Sequence, residues 1–575
     1  MNRLVLAISL GAALAPLSTG QDPAAPQGRP NILFIGMDDL NDWIGCMGGH
    51  PQAKTPNLDR LARSSVLFTN AHCTAPACNP SRTAIFTGRS PHRTGLYANG
   101  QKMRDVLPTE ELMSKTFSKA GYRSMGSGKM LHYFIDAASW DEYFPPKNTE
   151  NPFPRTLYPK KRPVSLPVGG PWQYVETDWG GLQASDEEFG GDWLVSRWVG
   201  DQLSRRHDKP FFLACGIYRP HEPWFVPQKY FDQFPLDSIQ LPPGYKASDL
   251  EDLPTGGKRM GPNRYFAHIR KHQQWKPAVQ AYLASIAFAD AMVGRVLKAL
   301  ENGPNADNTI VVLWSDHGWH LGEKQHWQKY TAWRVCTRVP LMIRVPKGIT
   351  GLRAGTRPGT SARPVNLLSL FPTLLELSGL PSRASNDGPS LVPLLKNPTA
   401  DWPHVSVTHL ATPGSFGLSA ENWRYIHYAN GDEELYDTVQ DPYEWNNLAT
   451  IEKYRGKLEE LRGRAPKVFA PKPPTKDASL PRLKWHPLTT NEVIPASKPD
   501  GNVFPVVFIN RRKTPVSLFW MSRTGERKPY ATIPAGKRKR QQTRPGAVWA
   551  ITNTGGTALG FFRVGDRSAR AEIPR

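Results

Sequence analysis

Two acidic pairs and one cysteine stand out for the chemistry they could support together. Asp38-Asp39 and Asp316-His317 each come directly after a short apolar run. Carboxylate oxygens converging from two strands could make an oxygen-rich cation site. Either pair alone is ambiguous, because an Asp-Asp pair is more often a solvated loop or a helix cap. The chain has five cysteines, at 46, 73, 78, 215 and 336. They cannot all pair with one another, which leaves room for a special role for one of them. Cys78, in Cys78-Asn79-Pro80-Ser81-Arg82, turns the acidic pairs from loose features into a constellation.

The elements that must hold these residues can be read from the hydrophobic pattern. Residues 31–37, 210–218 and 309–315 are apolar runs expected as buried strands, and 275–301 carries apolar residues at helical spacing in an Ala-rich context. Strands alternating with helices predict an α/β domain with a largely parallel sheet. In such sheets ligands bind beyond the carboxyl ends of the strands, where Asp38-Asp39 and Asp316-His317 fall. From 421 to 436 the pattern changes to short aromatic-rich strands, with a helix near 454–464, as in a smaller α+β subdomain. A proline-rich stretch at 466–500 reads as an extended linker along the surface. Residues 501–575 hold short alternating runs at 503–509, 516–521 and 548–552, which predict a small β-sandwich.

With 575 residues, 39% hydrophobic content and 18 tryptophans, the chain has material for a large core and an appendage. Arg3 followed by the apolar run 4–14, with Ser18 and Gly20 before Gln21, reads as an export signal over residues 1–20. That run is too short to span a bilayer, which takes roughly 20 residues. The net charge of +22 suits a polyanionic partner. Export favours a sulfated or carboxylated polysaccharide over nucleic acid. From Gly501 onward 15 Lys/Arg face 3 Asp/Glu, so this tail carries twelve of the 22 net positive charges. Lys537-Arg538-Lys539-Arg540 is expected as a basic surface loop.

Cys78-Asn79-Pro80-Ser81-Arg82, continued by Thr83-Ala84-Ile85-Phe86-Thr87-Gly88, resembles the sulfatase signature that directs oxidation of its cysteine to formylglycine. Phe86 replaces the family's usual leucine. A second signature of that family runs from Gly121-Tyr122-Arg123 to Gly128-Lys129-Met130. Within the family the iduronate-2-sulfatase branch is the most similar, through Asp38-Asp39-Leu40, Arg219-Pro220-His221, Ser315-Asp316-His317-Gly318-Trp319 and Trp327-Gln328-Lys329-Tyr330. Glu433-Glu434-Leu435-Tyr436-Asp437 adds to this.

The resemblance, over about residues 30–465, implies an alkaline phosphatase/sulfatase-like mixed sheet between helices. It places the catalytic domain at 30–400 and the C-terminal subdomain at 401–465. It also implies calcium held by Asp38, Asp39, Asp316, His317 and the modified Cys78. Arg82 would hold the hydrated aldehyde, while Lys129 and Lys329 neutralise sulfate. His132 would take the proton that triggers sulfate release. His221 would protonate the departing alcohol with help from Lys329. The implied substrate is a sulfated carbohydrate, and the maturation partner is a formylglycine-generating enzyme. A phosphodiesterase or phosphonate monoester hydrolase of the same fold, and a non-catalytic glycan-binding protein, are the competing readings.

Residues 503–566 resemble the β domain of the von Hippel–Lindau tumour suppressor, through Phe508-Ile509-Asn510, Pro515-Val516, Trp520, Pro529-Tyr530 and Trp549. Trp520, Tyr530, Thr543 and Trp549 match that family's aromatic peptide pocket, but Ala547 stands where the family has a histidine. The simpler expectation is that these aromatics form the core of the sandwich. Attachment to anionic glycan or a cell surface is the role expected of the tail.

Overall fold

The computed structural model describes residues 28–149, 151–159, 166, 177–473, 480–488, 492–499, 504–565 and 568–575. The expected export signal at 1–20 lies outside them, as do parts of the expected linker.

An eight-stranded sheet is built from strands between Asn31 and Ser361. Its strands are β1 (Asn31–Met37), β2 (Val66–Phe68), β3 (Arg123–Gly128), β4 (Glu142–Phe144), β5 (Phe211–Gly216), β6 (Thr309–Ser315), β7 (Leu341–Arg344) and β8 (Gly359–Ser361). They lie in the order β8-β2-β7-β6-β1-β5-β3-β4, and only β7 runs against the rest. Every residue of β1 is buried. A strand covered on both faces has no reason to alternate, which is why Asn31–Met37 is a continuous apolar run.

The two faces of β1 feed separate cores. Leu33, Ile35 and Met37 pack under helices α1 (Pro56–Arg63), α4 (Asp192–Leu203) and α5 (Trp275–Glu301). Ile32 and Phe34 pack under α2 (Cys78–Thr87), α3 (Met113–Lys119) and α6 (Leu370–Leu377). Among the described residues, no helix is long and apolar enough to cross a membrane.

A four-stranded antiparallel sheet follows, made of β9 (Ser406–His409), β10 (Phe416–Ser419), β11 (Trp423–His427) and β12 (Glu433–Asp437). Leu458 and Leu461 of α7 (Arg455–Arg464) join its core.

The C-terminal region is a β structure of two sheets. One contains β13 (Trp485–Pro487), β15 (Val516–Met521), β16 (Arg527–Ile533), β18 (Val548–Asn553) and β19 (Ala558–Arg563), in the order β13-β19-β18-β15-β16. The other has the order β17-β14-β20, from β14 (Phe504–Asn510), β17 (Arg538–Thr543) and β20 (Ala569–Ile573). Phe508, Leu518, Trp549, Ile551 and Phe562 fill the space between them.

Three expectations change here. Residues 485–487, expected within a linker, pair with β19 as a strand of the module. The run Lys537–Arg540, expected as a loop, mostly lies in β17, where Arg538, Lys539 and Arg540 pair with Ile509, Phe508 and Val507. β17 is an edge strand, and exposed cations there deter pairing with other chains, so a polar run is compatible with a strand. The aromatics divide as well: Trp549 is core, Trp520 is half-buried, and Tyr530 is 52% exposed.

Candidate active site

Four adjacent parallel strands, β6-β1-β5-β3, deliver the site residues from their carboxyl ends. Asp38-Asp39 follow β1, Asp316-His317 follow β6, Lys129 follows β3, and Arg219-Pro220-His221 follow β5. Cys78 is the first residue of α2. Lys329 comes directly after the hairpin that pairs His320–Leu321 with Trp327–Gln328. Two glycines let β3 and β5 end side by side. Gly128 has φ +68, and a Cβ there would stand 2.1 Å from the carbonyl oxygen of Gly216.

Asp38, Asp39, Cys78, Arg82, Lys129, His132, His221, Asp316, His317 and Lys329 are all buried. Around Cys78 Sγ lie Lys329 Nζ at 3.1 Å, His317 Nε2 at 3.3 Å, Asp38 Oδ1 at 3.6 Å and Lys129 Nζ at 3.7 Å. Lys129 is paired with Asp38, and Lys329 donates to Asp39 Oδ1 at 2.8 Å. His221 Nε2 lies 3.6 Å from Asp39 Oδ2, and His317 Nδ1 lies 3.4 Å from Asp39 Oδ1.

Arg82 lies behind the acids. Its guanidinium donates to Asp316 Oδ2 at 2.7 Å, to Asp38 Oδ1 at 3.2 Å and to the Met37 carbonyl at 3.1 Å. Asp316 also accepts the backbone N–H groups of Asp39 and His317, at 3.2 and 3.0 Å. A planar donor fork bonded to two carboxylates fixes both their positions and their rotation. Thus Arg82 meets the site through Asp38 and Asp316. His132 lies beside the cluster, its ring edge-on to Tyr133 at 4.8 Å.

The three acids and the three cations Arg82, Lys129 and Lys329 balance in charge, as a desolvated cluster requires. Burial alone would raise Asp38, but Lys129, His221, Arg82 and Lys329 outweigh it and hold its pKa well below the usual carboxylate range. Asp39 is pushed up to about 6 by burial, with Lys329 opposing and Asp38 reinforcing the rise. Burial, aided by Lys129 in two of the three cases, lowers the pKa of His132, His221 and His317, most strongly at His132, which is held well below the ordinary imidazole value and is neutral at pH 7. Burial favours neutral Lys329, but Asp39 and Cys78 more than reverse this and raise it.

The donor set fits a hard divalent cation. One ligand atom each from Asp38, Asp39, Cys78 and His317 lies within 4.8 Å of the others. Asp39 Oδ2 is buried without a hydrogen-bond partner, an arrangement that a cation would satisfy.

Backbone strain collects here too. Asp39 (φ 61), Tyr133 (φ 56), Gln328 (φ 82) and Tyr330 (φ 81) adopt the left-handed region, each at or beside a site residue. Such conformations cost about 1–3 kcal/mol each and persist where the surroundings enforce them.

The motifs did not point to Tyr133 and Tyr218. Their rings lie 4.7 and 5.3 Å from Lys129 Nζ, and Tyr218 stacks on His221 at 4.7 Å. Their only signal in the sequence is adjacency to His132 and Arg219. Asp192 is a further support, accepting the backbone N–H groups of Tyr218 and Arg219 at 2.7 and 2.9 Å. The other cysteines play no part in the cluster, and none of the five is joined in a disulfide.

Comparison with known proteins agrees with this geometry. The sulfatase family profile matches residues 30–380, and the profile for the C-terminal region of N-sulphoglucosamine sulphohydrolase matches 322–468. A sulfatase of Formosa agariphila is 39% identical over 459 residues, covering 77% of this chain and 87% of its own length. The iduronate 2-sulfatase of Mus musculus is 31% identical over 421 residues, covering 66% of this chain and 74% of its own. In fold, the chain resembles the phosphonate monoester hydrolase of Agrobacterium radiobacter, with TM-score 0.60 and 22% identity over 76% of this chain and 94% of that one. The chain belongs to the sulfatase family and is a sulfuric ester hydrolase.

Proposed function

We propose that this protein is exported and removes O-sulfate from a sulfated sugar or polysaccharide, in the manner of an iduronate-2-sulfatase. Its nucleophile is the hydrate of formylglycine made from Cys78 by a formylglycine-generating enzyme. One observation carries this reading: Cys78 Sγ, which stands in for the diol oxygens, is ringed by two lysines, a histidine and a carboxylate within 3.7 Å.

One diol hydroxyl attacks sulfur and the alcohol leaves. The second hydroxyl then loses its proton, sulfate departs and the aldehyde returns. Lys129 and Lys329 face the sulfate oxygens in a dry site, where charge acts strongly. Neutral His132 takes the diol proton. His221 and Lys329 deliver the proton that the alcohol needs. Asp38, Asp39, Asp316, His317 and the modified Cys78 hold calcium, which when bound supplies Lewis acidity toward the nucleophile and the sulfate.

Peptide mass spectrometry of the protein from its native host should find residue 78 as the aldehyde, and the protein should hydrolyse 4-nitrophenyl sulfate. An unmodified Cys78 and no turnover would leave a non-catalytic glycan-binding protein. The fold likeness to a phosphonate hydrolase motivates a second measurement, in which hydrolysis of a phosphonate monoester should be slower than that of the sulfate ester. The exposed basic strand β17 supports attachment of the module to polyanionic material.

A further inference from the structure

A cavity of about 910 Å³ starts at Lys129 and extends to the C-terminal module. The catalytic domain lines it with Lys129, Tyr133, Tyr218 and Arg155. The module lines the facing wall with Trp520, Tyr530, Trp549, Arg523 and Arg544. Small-molecule pockets run from roughly 300 to 1,000 Å³, so this one has room beyond a single sugar ring.

The facing wall is built for recognition. Tyr530 is 52% exposed and sits edge-on to Trp549 at 4.8 Å, so its ring is an open surface. Trp549 is anchored, its Nε1 donating to Thr543 Oγ1 at 2.9 Å. Arg523 is held by the Pro499 carbonyl at 2.9 Å. Module and catalytic domain also touch through Lys102, whose ammonium lies 4.5 Å from the Phe504 ring centre. Aromatic faces suit the C–H faces of pyranose rings, and guanidinium forks suit sulfate or carboxylate groups. The acids that line the cavity, Asp178 and Asp192, are outnumbered there by Lys129, Arg155, Arg219, Arg523 and Arg544.

Resting on the sulfatase reading above, we propose that the module completes the substrate cleft, with Trp520, Tyr530, Arg523 and Arg544 forming a subsite for an anionic sugar next to the one that loses sulfate. The module thereby selects oligosaccharides over single sulfated sugars. Trp520, Tyr530, Thr543 and Trp549, the positions matched to an aromatic peptide pocket, all line this cavity.

The test compares the full-length protein with Tyr530→Ala and Arg544→Gln, singly and together, the first at an exposed and the second at a half-buried position outside the core; thermal melting checks that they fold. Substrates are 4-nitrophenyl sulfate, sulfated monosaccharides, and heparan- and ulvan-type sulfated tetrasaccharides. The wild type should prefer a tetrasaccharide. The double variant should lose roughly tenfold or more in kcat/KM on it, mainly through KM, with aryl sulfate turnover within about twofold of wild type. Equal losses on both substrates, no loss on either, or a wild type that prefers no tetrasaccharide would overturn the subsite. If the wild type hydrolyses no sulfate ester, the sulfatase reading fails separately. Calorimetry then decides the subsite: weaker tetrasaccharide binding by the variant sustains it, and equal binding overturns it.

Discussion

The catalytic cluster and the C-terminal module use positive charge in opposite ways. In the cluster, Arg82, Lys129 and Lys329 have side chains no more than 6% exposed, and each touches a carboxylate. In the module, 15 Lys/Arg face only 3 Asp/Glu, and Arg538, Lys539 and Arg540 point to solvent. Buried, paired charges keep their strength and their geometry. Exposed ones are screened beyond about 8 Å at physiological salt. The cluster can therefore act on individual atoms, whereas the exposed cations of β17 can only gather a polyanion.

Breaking the cluster should give the largest effects. Cys78→Ala should lower kcat on 4-nitrophenyl sulfate by something on the order of 10⁶-fold, down to the detection limit, while the thermal midpoint barely changes. Treatment with EDTA should lower kcat by about 10³-fold or more and also lower the thermal midpoint, and added calcium should restore both, as the cation proposed at Asp38, Asp39 and His317 requires. Lys129→Ala should cost roughly 10²–10³ in kcat, as expected for loss of one preorganised charge on the sulfate. It should also destabilise the fold by about 1–3 kcal/mol in denaturant titrations, because Asp38 loses one of its cations while Arg82 remains.

The module should respond differently. Replacing Lys537, Arg538, Lys539 and Arg540 by Gln should weaken retention on immobilised heparin by about three- to tenfold at low salt, and the difference should vanish at high salt. Aryl sulfate turnover should not change. If that replacement lowered kcat on the aryl ester, the contrast between the two regions would fail.

Residues that sit next to sequence-local signals were legible. Asp38-Asp39 and Asp316-His317 end continuous apolar strands, and Cys78 to Arg82 is a contiguous signature, so chain order alone placed them. The helix at 275–301 was legible in full because its apolar spacing runs unbroken over 27 residues. Tyr218 was not, since its contact with Lys129 depends on β3 and β5 being neighbours, which no local pattern records. Strand β17 was missed because an edge strand needs no apolar face, and its cations outweighed its pairing partners. The cavity was the least legible, for it joins walls more than 400 residues apart in the chain, from Lys129 to Arg544.

The left-handed residues at Asp39, Tyr133, Gln328 and Tyr330 have a consequence for variation in this chain. Glycine is the sterically cheapest occupant of each, so random substitution toward glycine should there relieve strain where elsewhere it would add entropy cost. Selection for stability alone would drift these four positions toward glycine. At these four positions the chain therefore carries an acid, an amide and two tyrosines at the cost of an easier backbone.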